Sequence, residues 1–75
     1  MSKLQQLRKQ RGLSQSKLAE LTGVTFRMIQ NYEQGKRDID GAGLDRLCAI
    51  AIALEVNLWD ILESDDLADK VKQCT

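Results

Sequence analysis

The sequence predicts an all-helical domain, and three observations carry the prediction. Proline is absent from all 75 residues, so no segment is barred from helix. Apolar residues recur at three- and four-residue spacing, whereas strict alternation never persists and aromatics number three. Short polar capping residues stand ahead of these periodic stretches, and glycines follow several of them. A chain of this length makes a single domain with a thin core. Association with a second copy is the extra source of stability to expect in such a chain.

The first helix runs from about Ser2 to Gln10, with Ser2 as cap, Leu4 and Leu7 on one face, and Gly12 behind it. Ser14 caps a second helix over Gln15 to Thr22, whose apolar positions are Leu18, Ala19 and Leu21. Gly23 ends it in the left-handed conformation that only glycine adopts cheaply. Thr25 caps a third helix to Glu33 or Gln34, closed by Gly35. Lys36 to Gly43 read as a loop. A fourth helix spans Leu44 to Leu54, with Leu44, Leu47, Cys48, Ala51 and Leu54 as its core stripe. Asn57 caps a short fifth helix through Leu62, with Asp60 completing a variant of the capping box. The domain is therefore expected over residues 1–63. Residues 64–75 form an acidic tail, either a further short helix with Leu67 and Val71 one turn apart or a frayed end.

Composition removes several classes of function. Without histidine there is no His-containing zinc site, and two cysteines are too few for a four-thiolate site. Cys48 and Cys74 read as a small core residue and a tail thiol rather than a bridge, as suits a reducing cytoplasm. No secretory signal pattern opens the chain. The longest apolar run, Cys48 to Leu54, is far too short to span a membrane. No Gly-rich phosphate loop follows a strand, no histidine activates a nucleophile, and the acid pair Asp65–Asp66 sits in a polar tail. No catalytic, cofactor-binding or metal site is expected.

The net charge of zero conceals a division. Met1 to Arg37 carries eight cations and two acids, a net +6; Asp38 to Thr75 carries three cations and nine acids, a net −6. The basic half can face phosphate while the acidic half stays away from it.

Two short capped helices separated by a tight turn holding Gly23 and Val24, with small Ala19 permitting close contact and Ile29 anchoring the second helix, make a helix-turn-helix motif. Leu-Ser-Gln at 13–15, Leu-Ala at 18–19, Gly-Val-Thr at 23–25 and Ile29-X-X-Tyr32-Glu33-X-Gly35-Lys36-Arg37 together resemble the phage-repressor, Cro and xenobiotic-response-element (XRE) family. The likeness covers Leu4 to Leu62, including Asn57-Leu58-Trp59-Asp60-Ile61-Leu62 at its end. It implies a compact five-helix, lambda-repressor-like domain with the motif at helices two and three. One departure is Glu55, which stands where that family usually has glycine; another is the looser loop at Gly41 and Gly43.

Advancing about 100° per residue, Ile29, Tyr32 and Glu33 fall on the inner side of the third helix, and Arg27, Gln30, Asn31 and Gln34 on the outer side. One arginine and three amides are the side chains that pair bidentately with guanine and adenine in the major groove. The expected base-reading set is Thr25, Phe26, Arg27, Gln30 and Asn31. Phe26 and Met28 flank the face, where each can meet a thymine methyl or cover the core edge. Phosphate contacts are expected from Gln15 and Lys17 on the second helix and from Lys36 and Arg37 beyond Gly35; for Gln15 and the Lys36–Arg37 loop the resemblance implies the same. The resemblance also implies that inward-facing Glu33 pairs with Arg8, a structural ion pair, consistent with the need of a partly buried carboxylate for a partner.

The fourth helix is apolar around most of its circumference, which predicts cover from more than one side. Ile50 and Ile52 are assigned to a homodimer contact with Trp59, a residue that can equally close the monomer core. The expected partner is double-stranded DNA, bound as a homodimer without catalysis, in a cytoplasmic, sequence-specific regulator of repressor type. The alternative is an antitoxin-like module whose acidic half holds a partner protein, with DNA binding secondary.

Overall fold

Side-chain capping explains where most of the helices begin. In the computed structural model, which describes all 75 residues, the hydroxyls of Ser2, Ser14, Thr25 and Ser64 accept hydrogen bonds from the amides of Gln5, Lys17, Met28 and Leu67 at 3.0–3.2 Å. Each satisfies an amide that the first turn of a helix leaves without a carbonyl. The helices so started are α1 (Lys3–Gln10), α2 (Gln15–Thr22), α3 (Phe26–Gln34) and, at the chain end, α5 (Asp65–Cys74). Between them lies α4 (Leu44–Leu54), so the chain has five α-helices and no strand, the all-helical fold its sequence predicts. Gly23 at φ 75° and Gly35 at φ 77° close α2 and α3 in the left-handed conformation.

The core is contributed by every part of the chain up to Leu62. Leu4 of α1, Leu18 of α2, Ile29 of α3, and Ile50 and Leu54 of α4 have no accessible surface, and Ile61 and Leu62 seal the far side. Val24 in the turn of the motif and Ile39 in the following loop are buried with them. The loop is not wholly irregular, for Ile39–Gly41 makes one turn of 3₁₀ helix that seats Ile39. α2 packs on both α3 and α4, while α1 lies against α3.

Three expectations are corrected here. The segment after Asn57 is a single 3₁₀ turn, Leu58–Asp60, rather than a helix to Leu62. The reason is tertiary. Continuing the helix needs the amides of Glu63 and Ser64 to bond back along the chain; instead they donate to the two carboxylate oxygens of Asp40, at 2.7 and 3.0 Å. Leu44 is exposed rather than part of the core stripe, because it is the first residue of α4, at the rim of the packed helices. Ile50 cannot contribute to a contact between copies: with Leu47 and Leu54 three and four residues away on one helical face, it points into the monomer core. Ile52, on the opposite side of α4, is 77% exposed, and Trp59 is half-buried.

Residues 65–74 pack against the 3₁₀ turn through half-buried Leu67, Ala68 and Val71. Lys3 ties this end of the chain to α1, its amide donating to Glu63 Oε1 at 2.8 Å and its ammonium meeting Asp65 at 3.2 Å.

Glu55, the C-terminal cap of α4, is the only non-glycine residue at positive φ, 57°. Arg11 braces it, one guanidinium nitrogen on its carboxylate at 3.2 Å and another on its carbonyl at 3.1 Å. A left-handed conformation costs a side-chain-bearing residue about 1–2 kcal/mol. The exposed ion pair, about 0.2–1 kcal/mol, and glycine's greater unfolded-state entropy, about 0.4–1 kcal/mol, together offset most of that cost. Glu55→Gly should therefore leave stability within about 1 kcal/mol of the parent, read as a nearly unmoved denaturant midpoint at unchanged slope.

Candidate nucleic-acid interface

The outward face of α3 starts from its cap. Thr25 is exposed and its hydroxyl oxygen holds the Met28 amide. Behind it Phe26 is 44% exposed and Arg27 is exposed, with Gln30 and Asn31 half-buried one turn further. By helical periodicity Arg27, Gln30 and Asn31 share one side of α3, Phe26 flanks it, and Ile29 and Tyr32 are buried towards the core. Gln34 extends the exposed row to the end of the helix.

At that end the backbone folds back on itself. The Asn31 carbonyl accepts from both the Lys36 amide at 2.9 Å and the Arg37 amide at 3.2 Å. Left-handed Gly35 makes this closure possible, and it holds the two basic residues against the end of α3. Both side chains are exposed, and neither takes part in an ion pair. Lys17 is exposed too, 3.6 Å from Glu20 on its own helix, a contact that solvent screens heavily.

Beneath α3 lies the most buried charge in the chain. Arg8 and Glu33 meet bidentately, Nε to Oε2 at 2.7 Å and Nη2 to Oε1 at 3.0 Å, with side chains 9% and 2% exposed. Arg8 also donates to the Leu13 carbonyl at 2.8 Å. Hydrogen bonding to Glu33 raises the guanidinium pKa above its ordinary value; burial opposes this and the charge of Glu33 reinforces it. No buried side-chain polar atom lacks a partner. Because α1 carries Arg8 and α3 carries Glu33, the pair sets how α3 sits on the rest of the domain.

Gln15 joins this network, a contact the sequence does not announce. Its amide nitrogen donates to Glu33 Oε1 at 3.0 Å. A carboxamide has two N–H donors, so one remains for a ligand, and its direction is set by the first. Tyr32 and Arg46 form a second unexpected link, the arginine donating to the phenol oxygen at 3.0 Å. Arg46 is the lone cation between Asp38 and Asp69, and that isolation in an acidic stretch is the signal that marks it in the sequence.

No group of three or more His, Cys, Asp or Glu side chains is placed to hold a metal, and no helix is long and apolar enough to cross a membrane. The concave spaces on the surface are open grooves flanking α3 and the loop behind it.

Residues 4–58 match the model of a helix-turn-helix family. Over 55 residues the chain is 44% identical to an uncharacterised HTH-type transcriptional regulator, y4aM, of Sinorhizobium fredii (strain NBRC 101917 / NGR234). That stretch is 73% of this chain and 36% of the relative, so the chain matches only about a third of the relative's length. No solved structure gives a significant match. With its two short capped helices, their glycine turn and a family match across most of its length, the chain belongs to the XRE type of the helix-turn-helix family.

Proposed function

We propose that the chain is a sequence-specific, non-catalytic DNA-binding regulator of transcription, acting as a repressor, with α3 laid in the major groove. The supporting observation is the outward face of α3. Arg27, Gln30 and Asn31 share an accessible surface on a helix fixed at its start by Thr25, at its end by Gly35 and from behind by Arg8–Glu33. A reading helix already held in place pays little ordering cost when it docks. Thr25 and Phe26 extend the reading surface towards the helix start, Phe26 offering a ring to thymine methyl groups. Gln15, Lys17, Lys36 and Arg37 take phosphates on either side. Selecting bound duplexes from a random pool tests the reading. The expected result is one recurring motif, and enrichment of no sequence rejects it.

Two copies would read half-sites about one helical turn apart. Ile52 supports this arrangement, since a large aliphatic side chain 77% exposed on α4 has no cover within the chain, with half-buried Trp59 as the second anchor. Neither belongs to α3, so a two-fold contact there leaves both reading helices free. Ile52→Asp should weaken self-association by about tenfold or more with helical content unchanged, as measured by sedimentation across concentration. A parent chain that stays monomeric at high micromolar concentration rules this contact out.

A further inference from the structure

Three features beyond the base-reading face invite a role: the acidic start of α5, the exposed thiol of Cys74, and a groove of about 330 Å³ between α3 and the start of α4, bordered by Arg37. Only the groove contains chemistry aimed at a ligand. Met28 and Tyr32 of α3 form one wall, and Arg37 and Arg46 supply two guanidinium groups. Neither arginine is in any ion pair. Arg46 is exposed and gives one nitrogen to the Tyr32 hydroxyl at 3.0 Å; since Tyr32 is 5% exposed, that bond anchors the arginine to a rigid support. Four of its five N–H donors remain available. Asp38 also lines the groove, with one carboxylate oxygen taken by the Asp40 amide, so the local balance is net positive.

The position of the groove around α3 decides what it faces. At about 100° per residue, Met28 falls on one flank of the Arg27–Asn31 face, with buried Tyr32 next to it towards the core, and Gln30 falls on the other flank, with buried Glu33 next to it towards the core. Gln15 bonds to Glu33, so the start of α2 serves the second flank. A helix in the major groove has a phosphate strand along each flank, because that groove is only about 12 Å wide. The Gln15 flank is assigned to one strand; the Met28–Tyr32 flank, with its two unpaired arginines, faces the other.

We propose that Arg46 is a phosphate contact, gripping with Arg37 the DNA strand along the Met28–Tyr32 flank of α3. Tyr32 is its positioning residue, coupling a residue of α4 to the helix that reads bases. The inference rests on the DNA-binding reading above.

The test is the salt dependence of duplex binding by the full chain, read by fluorescence anisotropy between about 50 and 200 mM salt. Arg46→Ala should reduce the slope of log affinity against log salt by about 0.9. Arg46→Gln should reduce it equally, because it removes the charge and keeps a polar side chain; unchanged thermal melting of both variants shows that the lost slope is not a lost fold. Arg37→Ala with Arg46→Ala should remove about 1.8 from the slope. A salt-sensitive parent whose slope is unchanged in both Arg46 variants overturns this assignment alone. A parent that binds no duplex in a salt-dependent way overturns the DNA-binding reading together with it.

Discussion

Glu33→Ala should lower the unfolding free energy by about 3–5 kcal/mol, the range for breaking a buried ion pair from one side. The carboxylate is 2% exposed and accepts from Arg8 Nε, Arg8 Nη2 and Gln15 Nε2; its removal strands a guanidinium that is 9% exposed and left with only the Leu13 carbonyl. Against the 5–15 kcal/mol total typical of small domains, that loss is a large share. Arg8→Met should cost a similar amount, because it strands the carboxylate instead. Combining Arg8→Met with Glu33→Leu should cost clearly less than the two single changes added, since neither charge is then left alone. Chemical denaturation of the four proteins gives the coupling directly, and strict additivity would falsify the pairing as an energetic unit. The arginine side of the pair should show no titration at ordinary pH. Its folded-state pKa lies above its unfolded value, so the stabilisation is complete below the unfolded value and is lost only in strong alkali.

Arg27→Ala and Asn31→Ala should each weaken binding to the selected duplex by about 1–3 kcal/mol, roughly five- to 150-fold, and relax preference at one base position. Both side chains lie on the accessible face of α3 and outside the core, so the fold should keep its melting temperature. The Asn31 variant also retains the carbonyl that holds the Lys36 and Arg37 amides, so any loss at that position belongs to the side chain. Binding measured on the preferred duplex and on a scrambled one separates readout from charge. Equal losses on both would show that these residues touch backbone rather than bases.

These two results address different halves of one arrangement. Arg8, Glu33 and Gln15 hold α1, the start of α2 and α3 together through a single carboxylate. The reading face opposite them can therefore vary without disturbing the frame. A Glu33 variant that still folds should lose more affinity for the selected duplex than for a scrambled one, because it loosens the helix that reads bases.

What the sequence determined by itself is local. A cap hydroxyl bonds to an amide three residues on, and a glycine that ends a helix needs only its own φ, so the starts and ends of α2 and α3 follow from residues a few positions apart. The inner and outer faces of α3 follow from the same short range, because helical periodicity separates Ile29 and Tyr32 from Arg27 and Asn31 before any neighbour is known. The decisions left to the tertiary structure all involve partners distant in sequence. Asp40 takes the amides of Glu63 and Ser64 and so cuts the segment after Asn57 to one 3₁₀ turn, across more than twenty residues. Ile50 and Ile52 are equally apolar neighbours on α4, and only the placement of the packed helices buries the first and exposes the second. Glu55 keeps a conformation suited to glycine while Arg11, forty-four residues earlier, braces it. Arg46 reaches Tyr32 for the same reason: a loop returns α4 to the flank of α3, and a contact across that return has no periodic signature in the chain.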